Sequence, residues 1–269
     1  MKFVFFGTPY VARDTLQFLL DNDYCPELVV SNPDAPRGRG QVLTPSETKV
    51  LAMNHNLPVY TPDKLDENAI DEIKKYNCDY AIVVAYGKIL PQKLLDIFPK
   101  GIFNIHYSLL PKYRGAAPVE TALLNNDTKT GVTIQKMVYQ MDAGDIVAQT
   151  EEIIKPDDTT ITLKPRLISL GNKLLLEQLS NIESGHISLR PQSEADVTFA
   201  PKLNKEDSLL DLTADDSQNW SKYRAFIEWS GTYFFEDGKR MKIKKAKYEN
   251  DRFIIERVIP EGGKERDYL

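Results

Sequence analysis

Cysteine is scarce in this chain of 269 residues, and the two present, Cys25 and Cys78, form neither a CxxC pair nor a metal-ligand spacing. A disulfide framework is therefore excluded as an organising device, and a reduced compartment is expected. Histidine is almost as rare. His55, His106 and His186 stand far apart with no HxxxH pattern, so no metal site is expected. Long apolar runs are missing too: the uncharged stretch Tyr80 to Gly87 is far short of the roughly 20 residues that cross a bilayer. The opening run Met1 to Gly7 ends too soon for a secretion signal and offers no small-residue cleavage site. A soluble, cytoplasmic, monomeric protein with no membrane partner is expected.

A basic surplus is also lacking. There are 34 Lys and Arg against 39 Asp and Glu, a net charge of −5. Nucleic-acid affinity rests on neutralising phosphates, so any such contact must be local. Two basic stretches qualify: Arg37-Gly38-Arg39-Gly40, and Lys239 to Lys247, which includes Lys242 and Lys244. The plainer reading of the second is a strand with a solvated lysine face. Nucleotide fingerprints are missing as well. The turn Gly7-Thr8-Pro9-Tyr10-Val11-Ala12 has one glycine where a dinucleotide loop needs three, and no GxxxxGK[ST] sequence occurs.

What is present is an alternation of short apolar strands with helix-period segments. Strands are expected at Lys2 to Phe6, Glu27 to Ser31, Pro58 to Tyr60, Tyr80 to Ala85 and Gly101 to Ser108. Helices are expected after Pro9, from a Ser46 cap to Asn56, and over Glu67 to Asn77. That order predicts an α/β fold, a Rossmann-like, doubly wound, mostly parallel sheet. Pro33 to Pro45 reads as a loop. Gly131 to Val138 and Asp145 to Ile154 read as paired strands, followed by a long helix from Thr162 to Ser184 with Pro165 near its first turn. Short strands after Thr232, divided by Asp237-Gly238 and Asn250-Asp251, predict a small β-domain of reduced, OB-like barrel type. The expected boundaries are a domain over 1–190, a linker over 191–205 and the β-domain over 206–269.

One strand breaks its own rule. In Ile102-Phe103-Asn104-Ile105-His106-Tyr107-Ser108, period-two alternation places Asn104, His106 and Ser108 on one face. A strand inside a parallel sheet is covered on both sides and should be apolar throughout. Polar groups are costly to bury without partners, so this row reads either as a wet edge or satisfied core histidine, or as a chemical site. The C-terminal edge of such a sheet is where ligands bind, which favours the second reading. Met141-Asp142-Ala143-Gly144-Asp145 is an acidic turn that could bring a carboxylate to His106.

Asn104-x-His106, followed by Ser108-Leu109-Leu110-Pro111 and then by Asp142 in a loop, resembles the folate-dependent formyltransferases. The resemblance is closest to those acting on methionyl-tRNA. It extends through Lys112-Tyr113-Arg114-Gly115-Ala116-Ala117-Pro118, Gly131-Val132-Thr133-Ile134, Gly7-Thr8-Pro9, Ala85-Tyr86-Gly87 and Ala200-Pro201-Lys202-Leu203. It implies transfer of the formyl group of 10-formyltetrahydrofolate to the methionine amino group of initiator tRNA, with no metal. By the same resemblance Asn104, His106 and Asp142 would be catalytic. Tyr86, Gly87, Lys88, Ile89, Ser108, Leu109, Leu110 and Pro111 would hold folate, and Arg37 with Arg39 would meet tRNA. The resemblance weakens near the C-terminus, where Ile227-Glu228-Trp229-Ser230-Gly231 stands in place of Asn-Pro-Trp-Pro-Gly and the domain is several strands short. A sugar-nucleotide N-formyltransferase is an alternative, as is a non-catalytic folate- or RNA-binding relative.

Overall fold

The computed structural model describes every residue except Arg39 and Leu269. The chain begins β1 (Phe3–Gly7), α1 (Tyr10–Asp21), β2 (Leu28–Val30), β3 (Ala35–Arg37), β4 (Val42–Thr44), α2 (Glu47–Asn54), β5 (Val59–Tyr60) and α3 (Glu67–Lys74). It continues with β6 (Tyr80–Val84), α4 (Gln92–Leu95), β7 (Ile102–His106), β8 (Arg114–Gly115), α5 (Pro118–Leu124), β9 (Lys129–Lys136) and β10 (Ile146–Ile153). The last third holds α6 (Thr160–Ser184), β11 (Phe199–Ala200), α7 (Asp216–Phe226), β12 (Tyr233–Glu236), β13 (Lys239–Glu249), β14 (Arg252–Pro260) and β15 (Arg266–Asp267).

Two compact units result. The first comprises Met1–His106, Val132–Thr150 and Ile168–Asp196; the second comprises Tyr107–Gly131, Glu151–Leu167 and Val197–Leu269. In the first, seven strands form one sheet in the order β10-β9-β7-β6-β1-β2-β5. β1, β2, β5, β6 and β7 run parallel, and β9 runs antiparallel to β7. Strand order reverses at β1, which has β2 on one side and β6 on the other, so the crevice at the C-terminal ends of β1 and β6 is the ligand position of an open α/β sheet. Phe3, Phe5 and Phe6 are exposed to 1% or less, each contributing roughly 1.5–3 kcal/mol of transfer free energy. α1 buries Ala12, Thr15, Leu16 and Leu19, the one-face spacing of an amphipathic helix. Gly7 is required where β1 meets α1, because a β-carbon there would lie 2.4 Å from the Ala12 Cβ. Ser46 caps α2 by accepting the Lys49 N–H, and Asp66 caps α3 through Ala69.

The second unit contains the four-stranded antiparallel sheet β12-β13-β14-β15 and helix α7. Leu210, Tyr223, Phe234, Met241, Ile243, Ile255 and Val258 form its core. The same unit takes in α5 and the start of α6, joined to α7 by polar contacts. Lys164 Nζ reaches Glu120 and Glu228 at 2.7 Å each, Arg224 Nη2 donates to Asn126 at 2.7 Å, and Trp220 Nε1 donates to the Pro156 carbonyl. Burial would lower the Lys164 pKa, but the two carboxylates outweigh it and raise it. Pro165 lies in the second turn of α6 rather than its first. The bond it cannot donate would fall on the carbonyl of Ile161, a residue exposed enough for water to serve instead.

Candidate active site

β7 carries Asn104 and His106 toward the C-terminal edge of the sheet, and the ladder to β9 pairs Asn104 with Gln135 and His106 with Thr133. Directly paired residues share a face, so two adjacent strands present a row of four polar side chains. Thr133 is fully buried, Gln135 is 1% exposed and His106 5%. The loop from β9 to β10 adds Asp142, whose Oδ2 lies 3.7 Å from His106 Nδ1. That separation is beyond a direct hydrogen bond and within ion-pair reach, a common spacing before substrate closes a site.

The Asp142 loop is held from two directions. Gln135 Nε2 donates to Asp142 Oδ1 at 2.8 Å. Gln192 Nε2 donates to the carbonyls of Asp142 and Gly144 at 2.8 and 2.7 Å. Asp142 itself adopts φ +51°, a left-handed conformation that Asp tolerates better than most residues. Three groups chosen from the sequence thus meet in space, while Gln135 and Gln192 were missed. Gln135 had a signal, since Gly131 to Lys136 alternates Val132 and Ile134 with Thr133 and Gln135.

At the ends of β1, β2 and β6, Thr8 Oγ1 and Asn32 Nδ2 both donate to the Tyr86 carbonyl, at 3.1 and 2.9 Å. The Asn32 Oδ1 and Tyr86 Oη atoms are buried with no hydrogen-bond partner. The Tyr86 ring packs edge-on against Phe6, and burial pushes its hydroxyl up to about 12. Gly87 has φ +83°, Lys88 Nζ donates to the carbonyls of Pro62 and Asp63, and Ile89 is 78% exposed. Burial lowers the Lys88 pKa. In the second unit, Ser108 Oγ donates to the Lys112 carbonyl at 2.6 Å, Leu110 is buried, and the Leu110–Pro111 peptide is cis; Leu109 and Pro111 are half-buried.

Of the basic residues, Arg37 on the β3–β4 hairpin is paired with Glu47, whose pKa it lowers by hydrogen bonding. Arg39 lies outside the described residues. Lys242 lines a cavity of about 130 Å³ in the second unit with Lys205, Arg240, Ser208, Ser230 and Tyr233. Burial and the neighbouring charges of Lys244, Arg240 and Lys205 lower the Lys242 pKa. Lys244 is exposed. Among the described residues no cluster of three or more His, Cys, Asp or Glu could hold a metal, and no helix is long and apolar enough to cross a membrane.

Residues 1–179 match the formyl transferase family, and residues 202–261 match the formyl transferase C-terminal domain. The chain belongs to the formyl transferase family. It is 44% identical over 245 residues to the methionyl-tRNA formyltransferase of Lactobacillus gasseri, covering 91% of this chain and 78% of that one. Solved structures share the fold at lower identity. A methionyl-tRNA formyltransferase from Clostridium thermocellum superposes with a TM-score of 0.66 at 14% identity, over 96% of this chain and 97% of that one. An N-formyltransferase from Helicobacter canadensis, in complex with folinic acid and dTDP-3-aminofucose, gives 0.70 at 19% identity over the whole of both. As a member of this family the chain is an enzyme with a mostly parallel α/β sheet and a small antiparallel β-domain.

Proposed function

We propose that this formyl transferase moves the formyl group of 10-formyltetrahydrofolate to the methionine amino group of initiator tRNA. The observation that carries the chemistry is the convergence of Asn104, His106 and Asp142 at one end of the sheet. The acceptor is supported by the sequence likeness to methionyl-tRNA formyltransferases over nine-tenths of the chain.

The reaction fits these side chains. The amine nitrogen bonds to the formyl carbon, the carbonyl oxygen gains negative charge, and the bond from that carbon to N10 of the donor then breaks. The developing oxyanion needs preorganised donors, which Asn104 Nδ2 and the His106 ring supply. Asp142 orients His106 and accepts the proton that the attacking amine sheds, for delivery to the departing N10. Residues Tyr86 to Ile89, the Asp142 loop and Ser108 to Pro111 are proposed to hold the folate. The unpartnered Asn32 Oδ1 offers that ligand a hydrogen-bond acceptor at the sheet edge. Arg37, Arg39, Lys242 and Lys244 are proposed contacts for tRNA phosphates, and residues 206–269 the domain that bears the last two.

The test is an acceptor panel with 10-formyltetrahydrofolate as donor: initiator methionyl-tRNA, elongator methionyl-tRNA and a dTDP-amino sugar. Formylation confined to the initiator tRNA supports the reading. Formylation of the amino sugar alone would replace the acceptor while keeping the chemistry.

A further inference from the structure

Gln135 takes no part in the steps above, yet it is 1% exposed and joined to the site through its carboxamide nitrogen. Its Nε2 donates to Asp142 Oδ1 at 2.8 Å. An ionised carboxylate can only accept, so the amide orientation is fixed, with nitrogen toward Asp142 and oxygen away from it. That oxygen is buried and has no hydrogen-bond partner. Across the ladder the residue paired with Gln135 is Asn104. Paired residues place their β-carbons roughly 5 Å apart on one face, a span that two amide side chains close easily.

We infer that Gln135 is a positioning residue that sets the polarity of Asn104: its Oε1 accepts one Asn104 N–H in the substrate-loaded enzyme, turning the other N–H toward the formyl oxygen. The inference rests on the formyl-transfer reading above. Asn104 is an amide, and flipped by half a turn it would present a carbonyl to the developing oxyanion and repel it. A neighbour with a defined acceptor holds the correct face forward. Gln135 is that neighbour because Asp142 has already fixed which of its ends accepts. One chain of donors and acceptors then runs from Asp142 through Gln135 to Asn104, tying the carboxylate loop to the oxyanion donor. Apo sites often show such bonds long and close them only with substrate bound.

Gln135→Met keeps the length of the side chain and removes both polar ends. The expected result is a fall in kcat of about 10–100-fold, the usual effect of losing a buried partner of a site residue, with KM for both substrates within threefold. A double-mutant cycle with Asn104→Ala separates positioning from mere packing. If Gln135 acts through Asn104, adding Gln135→Met to Asn104→Ala costs at least fivefold less than it does alone. An equal cost in both backgrounds overturns the inference, as does a kcat within twofold of the parent. Should Gln135→Met fail to fold, Gln135→Lys carries the test. Its ammonium still donates to Asp142 and offers Asn104 no acceptor, so kcat should fall at least tenfold while folinic acid still binds; parental kcat overturns the inference. A parent enzyme unable to formylate methionyl-tRNA would instead overturn the acceptor assignment, which keeps the two failures distinct.

Discussion

Gly144 holds the Asp142 loop against β9 so closely that no side chain fits. A β-carbon at this position would lie 1.9 Å from the Lys136 carbonyl oxygen, 2.9 Å from its carbon and 3.3 Å from the Met137 Cα. All three are backbone atoms of an ordered strand end, so the loop must move rather than the strand. Restoring an ordinary carbon–oxygen contact of roughly 3.3 Å requires a shift of about 1.4 Å, which would be passed to Asp142 two residues away. A misplacement of about 1 Å at a reacting group can cost roughly 100-fold in rate. Gly144→Ala is therefore expected to lower kcat about 100-fold. The Gln192 bonds to the Asp142 and Gly144 carbonyls would loosen as well, and the melting temperature should fall by a few degrees. Steady-state formyl transfer, with thermal unfolding in parallel, measures both. A folded Gly144→Ala protein with kcat within threefold of the parent would refute the claim that loop position controls turnover.

Other consequences are open to similar checks. His106→Ala should fold normally and lose about 10²–10⁴-fold in kcat, since an oxyanion donor and the ring that Asp142 orients are removed. Asp158 is 3% exposed; burial pushes its pKa up, but Arg166, the Lys155 N–H and Thr162 outweigh this and hold it below the ordinary carboxylate range. A lowered folded pKa means that its stability is present above about pH 4 and lost as pH falls through the folded value. Asp158→Asn should thus cost about 2 kcal/mol in urea unfolding at pH 7, with the gap to the parent closing in acid; a gap that is constant with pH contradicts the pairing. Glu47→Gln releases Arg37 from its ion pair, so the salt dependence of tRNA binding should steepen by about one phosphate contact, whereas an unchanged slope removes Arg37 from the interface. Lys242→Ala should flatten the same slope by about one, leaving folate binding unchanged.

The catalytic row was readable because β-strand alternation is a rigid rule. Asn104 and His106 had to share a face, and polar groups on a covered face needed a reason. Gln135 followed the same rule one strand later and was passed over, because only the ladder register shows that it faces Asn104. Helix α7 was illegible for a different reason. It buries Asn219, Ser221 and Arg224 together with Tyr223, Ala225 and Phe226, so polar and apolar side chains are mixed at its buried positions and no clean apolar stripe marks it. The Pro33 to Pro45 segment reads as loop because proline and glycine punctuate it, yet it contains the exposed hairpin of β3 and β4. The grouping of α5 and the start of α6 with α7 depends on Lys164, Arg224 and Trp220 meeting partners about 44 to 98 positions away, which no local pattern reveals.

The central claim is that Asn104, His106 and Asp142 act together in formyl transfer to methionyl-tRNA. Single-turnover transfer from 10-formyltetrahydrofolate to methionyl initiator tRNA, measured as formyl-methionine after deacylation, tests it most directly when the parent is run beside Asp142→Asn. The account requires rapid transfer by the parent and a rate at least 100-fold lower in Asp142→Asn, with folinic acid bound equally by both. Equal transfer rates in the two proteins would contradict it.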